Sequence, residues 1–159
     1  MDTPLDPTEQ SVGDTASTLN ELVQTCKDGE NGFRAAAEHV PDSNLRHLLE
    51  SYAQQRAEFA AELQLEVRRL AEDPAESGHA TAALHRTWMD IKTGLTGRDE
   101  AAIIAECERG EDAAVRVYRK ALDSNLPSDL RGIVERQFVE VKDAHDHIRS
   151  LERSHSRNA

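Results

Sequence analysis

The chain has 159 residues and a formal net charge of −11, with 31% charged, 38% hydrophobic and only 4% aromatic residues. That length is enough for one domain with a sizeable core, and the negative charge argues against nucleic acid or an anionic membrane as partner. No stretch approaches the ~20 apolar residues of a membrane span. The acidic start "MDTPLDPTEQSVGDTAS" lacks the basic and apolar parts of a signal peptide. The expectation is a cytoplasmic protein in which Cys26 and Cys107 are reduced, small apolar fillers rather than a disulfide.

Residues 1–14 carry Pro4, Pro7, Gly13 and several acidic groups with almost nothing to bury, and read as a disordered tail. A first amphipathic helix is predicted from Thr15 to Val40, with Leu19, Leu22, Cys26, Phe33, Ala37 and Val40 at steps of three and four. Pro41 breaks it. A second runs from Asp42 to Glu72 with Leu45, Leu49, Tyr52, Phe59, Leu63, Val67 and Leu70 on one stripe, ended by Pro74 and Gly78. A shorter helix over 81–95 carries Leu84, Trp88, Ile91 and Leu95. A third long helix spans Asp99 to Leu122, with Ile104, Cys107, Ala114, Tyr118 and Ala121 aligned. The fourth spans Ser128 to Arg153, with Leu130, Val134, Val141, Ala144, Ile148 and Leu151, and residues 154–159 read as a frayed end. No segment alternates as a strand would, so the fold class is all-α.

The chain repeats itself. With a shift of 81, Cys26, Gly29 and Glu30 of "CKDGE" meet Cys107, Gly110 and Glu111 of "CERGE". "DSNL" occurs at 42–45 and 123–126, and "SNLRHLLE" at 43–50 resembles "SDLRGIVE" at 128–135. Two related helical hairpins, 15–72 and 98–153, are therefore expected to pack face to face as one four-helix-bundle domain over 15–153. The connection over 73–97 is far longer than neighbouring antiparallel helices need. A helix of about 15 residues there would reach about 22 Å, which makes it a crossover along the bundle, as in ferritin-like folds. Gly29 and Gly110, each costing about 1 kcal/mol of helix propensity relative to Ala, are expected where two helices approach closely.

Polar residues interrupt the apolar stripes near mid-helix: Glu30, Arg56, Glu111 and Gln137, with Glu140 and Asp143 at the edge and His145 beyond. One reading is a central polar network of Glu30, Arg56, Glu111, Gln137 and Glu140, in which the planar guanidinium of Arg56 bridges Glu30 and Glu111. The other is a metal centre, iron or another divalent ion, held by Glu30, Glu58, Glu111, Glu140, Asp143 and His145. A dinuclear carboxylate centre needs a Glu from each of two helices and a Glu-x-x-His from each of the other two. Glu30 and Glu111 suit the first role, but "QRAE" and "EVKD" supply no Glu-x-x-His, and Arg56 brings a cation to the same layer. No nucleophile triad, phosphate-binding loop or Cys-x-x-Cys is present, so no catalytic residue is assigned. His85 and Trp88 of the short helix are candidates for partner binding.

"LNELVQTCKDGENGF", "ALHRTWMDIK", "ECERGEDAAVRVYRKAL" and "AHDHIRSLE" together closely resemble the PA2169 family of four-helix-bundle proteins, small bacterial proteins carrying the domain of unknown function DUF2383. The resemblance covers about residues 17–152 and implies a ferritin-like fold, a bacterial cytoplasmic setting, an association with stress and metal binding by analogy with fold relatives. It brings no established activity. The function expected is that of a non-enzymatic interaction or stress-related protein, monomer or homodimer. The alternative is a di-iron carboxylate protein.

Overall fold

The structure is a computed structural model, and it describes residues 7–70 and 99–157. Four helices make up nearly all of these: α1 (Pro7–His39), α2 (Ser43–Arg69), α3 (Glu100–Leu122) and α4 (Ser128–Arg157). No strand occurs among the described residues. The short helix expected over 81–95, with His85 and Trp88, lies outside them.

Helix limits follow local chemistry. Asp42 caps α2, its carboxylate accepting from the Leu45 backbone N–H at 2.9 Å, and Asp99 caps α3 by accepting from Ala102 N–H at 2.8 Å. The first helix begins earlier than the composition of its start suggested. Residues 7–14 are helical rather than part of a disordered tail, because proline suits a first turn, where its missing N–H costs nothing. The last helix likewise continues to Arg157, past the frayed end expected from residue 154.

The stripes are buried as their spacing requires. Leu19, Leu22, Cys26, Phe33, Ala37 and Val40 of α1 are all interior, as are Ile104, Cys107, Ala114, Tyr118 and Ala121 of α3. One apolar cluster joins the start of α1, the end of α2, the end of α3 and the start of α4 through Leu22, Leu63, Tyr118 and Val134. A second joins the opposite ends through Phe33, Leu49, Ile104 and Ile148. Each helix of a hairpin is thus antiparallel to its mate, α1 is antiparallel to α3, and α2 runs parallel to α3.

α1 packs along both α2 and α3, and α4 along α3 and, more loosely, α2, so α2–α3 and α1–α4 are the two diagonals. Parallel helices on a diagonal require the chain to leave at one end, at Leu70, and re-enter at the other, at Asp99. That connectivity is the ferritin-like one.

Candidate functional site

Between the two apolar clusters lies a layer in which the stripes turn polar. Arg56 stands between Ala53 of one cluster and Phe59 of the other, and Glu111 between Cys107 and Ala114. They meet across the α2–α3 diagonal: Nη1 and Nη2 of Arg56 each donate to one carboxylate oxygen of Glu111 at 2.7 Å. The two side chains are 1% and 0% exposed. A bidentate, charge-assisted pair of this kind is among the stronger polar contacts available to a protein. Burial opposes the arginine's charge, but the carboxylate of Glu111 and its two hydrogen bonds hold the guanidinium above its ordinary pKa. The guanidinium carbon also lies 5.4 Å from the centre of the Phe33 ring, within cation–π range. Nε of Arg56 is buried with no hydrogen-bond partner.

Gly29 explains how so large a cation fits. A Cβ at this position would lie 3.5 Å from Cγ and 3.5 Å from Nη1 of Arg56. The space beside the glycine is filled by the stem and head of Arg56. At this position the helix backbones do not close on one another as the sequence had suggested.

Glu30 departs from the expected bridge. Its carboxylate accepts from Arg34 one turn along the same helix at 2.7 Å, with 25% of the side chain exposed. Aligning Ser43–Glu50 with Ser128–Glu135 places Val141 of α4 where α2 has Arg56, and Val141 is fully buried. The diagonal partner of α1 therefore offers Glu30 no cation, and the carboxylate turns to its own helix and to water.

Gln137 belongs to a second polar chain rather than to the arginine pair. The buried Tyr118 hydroxyl donates to Gln137 Oε1 at 2.8 Å. With its one proton committed there, Tyr118 accepts from the Cys26 thiol at 3.1 Å. Gln137 Nε2 in turn donates to Glu62 Oε1 at 2.7 Å and reaches the Phe59 carbonyl at 3.4 Å. Arg136 closes the chain on the other oxygen of Glu62 at the surface. Tyr118 was legible only as an apolar stripe residue, and Glu62 carried no signal at all.

The carboxylates proposed for a core metal centre are not brought together. Glu58, Glu140 and Asp143 are exposed, Glu58 accepting from Gln54 at 3.3 Å, and Glu111 is taken by Arg56. His145 is buried at the edge, with Nε2 on Asp112 and Nδ1 on Asp146. Stripe spacing identified the face of each residue, but a side chain's rotation about that face decides whether it points inward, and for residues at the stripe's edge it points out. Both cysteines are free thiols. Burial pushes Cys26 up to about 11, with its contact to the Tyr118 hydroxyl acting the other way, and burial pushes Cys107 further up. Neither is a thiolate near neutral pH, so neither is a nucleophile.

The described helices define a ferritin-like four-helix bundle. A mutant of Dps1 from Mycobacterium smegmatis has a similar structure, with a TM-score of 0.70 over 93% of this chain and 99% of that chain at 13% sequence identity, a likeness that speaks to the fold alone. Residues 14–124 match the family described as "Domain of unknown function (DUF2383)", and the chain belongs to that family. No curated protein matches it. Among the described residues, no helix is long and apolar enough to cross a membrane.

Proposed function

We propose that this chain is a non-enzymatic ferritin-like bundle of the bacterial cytoplasm, an interaction or stress-associated protein whose centre is closed by an ion pair. The same reading includes placement in the PA2169 group of its family, and a monomeric or homodimeric state without nucleic acid or membrane as partner. One observation carries it: the buried Arg56–Glu111 pair occupies the layer where a dinuclear centre would need carboxylate and imidazole ligands free of cations. A fixed positive charge bonded through both nitrogens to the best-placed glutamate competes directly with any metal there. The di-iron alternative would have to break that pair and turn Glu58, Glu140 and Asp143 inward, and no observation favours it.

The test is addition of Fe(II) under air to protein purified without chelator, followed by absorbance. The expected result is oxidation no faster than in buffer. Rapid oxidation that is abolished by Glu111→Gln, in a variant shown by circular dichroism to be folded, would overturn the reading.

A further inference from the structure

Away from the central layer, the interface of α3 and α4 carries a separate set of metal-ligating groups. Glu108 and Asp112 are one turn apart on α3, on the side that meets α4. His145 reaches them from α4. One ligand atom from each lies within 4.8 Å of the others.

We infer that Glu108, Asp112 and His145 form a mononuclear site for a divalent transition-metal cation of the zinc type, at the surface of the α3–α4 pair. Several observations support this. Two carboxylates at i and i+4 repel each other and weaken a helix unless a cation bridges them. His145 is nine-tenths buried and its ring is held from behind: Nδ1 hydrogen-bonds Asp146 at 3.1 Å, which leaves Nε2 facing Asp112. A carboxylate fixing one ring nitrogen so that the other faces the ion is the usual outer-shell arrangement of a metal-bound histidine.

Ligands at 2.0–2.2 Å from a tetrahedral ion lie about 3.4 Å apart. His145 Nε2 and Asp112, now in direct contact, would open to that spacing and Glu108, within 4.8 Å, would adjust to it by side-chain rotation, because Asp112 is half exposed. The same openness leaves room for water as the fourth ligand. The cations nearby are weak competitors. Arg149 Nε is 3.7 Å from Glu108 on a half-exposed side chain, and Lys142 is engaged with Asp146 at 3.0 Å. A metal ion at Nε2 would take the place of the Asp112 contact there and, by neutralising Glu108, give Arg149 back to solvent. The net charge of −11 adds a general attraction for cations. This site shares no residue with the Arg56–Glu111 pair, so it stands or falls independently of the proposed function.

Isothermal titration of chelator-treated protein with Zn²⁺ tests the inference, using wild type, Asp112→Asn, His145→Gln and, as a control for adventitious histidine binding, His47→Gln. The expected result is one equivalent bound by wild type and by His47→Gln. Affinity is expected to fall at least about tenfold in Asp112→Asn and in His145→Gln, with Co²⁺ substitution giving an intense tetrahedral absorption only in the first two. Because Asp112 is half exposed, its variant keeps the comparison valid should His145→Gln fold poorly. No saturable binding by wild type, or equal binding by wild type and Asp112→Asn, would overturn the inference.

Discussion

The phrase Cys-x-x-Gly-Glu occurs once in each hairpin, and its glutamate ends differently in the two. Glu111 is fully buried and held by both nitrogens of Arg56, whereas Glu30 sits at the edge with Arg34. The difference originates on the diagonal helix in each case. α2 presents Arg56 to α3, but α4 presents Val141 at the matching position to α1. Glu111 enters the interior together with the cation that Arg56 brings, because an unpaired buried charge is far costlier than a solvated one. Sequence identity between two helices thus does not give them identical interiors. The residue opposite decides.

Other repeated elements behave alike or diverge for equally local reasons. Arg46 and Arg131, matched in the alignment, both reach back to the carbonyl end of the preceding helix: Arg46 to Val40 O at 3.2 Å, Arg131 to Leu122 O at 2.6 Å and Ser124 O at 2.7 Å. "DSNL" diverges. In the first hairpin Asp42 caps the start of α2, while in the second Asp123 ends α3 and Leu126 plugs the core from the turn. The residues inserted before Ser128 move the start of α4 four positions on from where the repeated phrase would put it.

The sharpest way to break this contrast is to remove one member of the central pair. Arg56→Met or Glu111→Leu is expected to cost about 3–5 kcal/mol, since each leaves a buried uncompensated charge. Urea denaturation is expected to show the double variant recovering most of that loss, because two apolar side chains leave no stranded ion. A double variant no better than the singles would mean that the site depends on the charges themselves. The next effect belongs to the second polar chain. Tyr118→Phe strands Gln137 Oε1 and the Cys26 thiol and is expected to cost about 1–3 kcal/mol, read by the same method.

Gly29→Ala tests the space beside Arg56 and has the opposite sign. Its new Cβ would make only ordinary contacts with the arginine, so the gain in helix propensity, up to about 1 kcal/mol, is expected to appear as a raised Tm. Loss of stability would show that the arginine cannot accommodate even a methyl group. Glu30→Gln is expected to change stability least, by about 0.3–0.5 kcal/mol, the usual worth of an i,i+4 pair at a helix surface. The ratio of its effect to that of Glu111→Gln measures how unequal the repeated glutamates are.

Periodicity, caps and the internal repeat determined the helices, their pairing in hairpins and the long return between them, because burial of an apolar stripe and the length of a connection are both written along the chain. Candidate residues near the centre were legible to the extent that Arg56 and Glu111 lie on buried faces. The exclusion of Glu30, the separation of Gln137 into its own chain with Tyr118 and Glu62, and the meeting of His145 with Asp112 were not. Those depend on which side chain of a distant helix stands across a diagonal or a shared seam. No spacing within one helix encodes that, and only the packed bundle, where a buried polar group is stable only beside a partner, decides it.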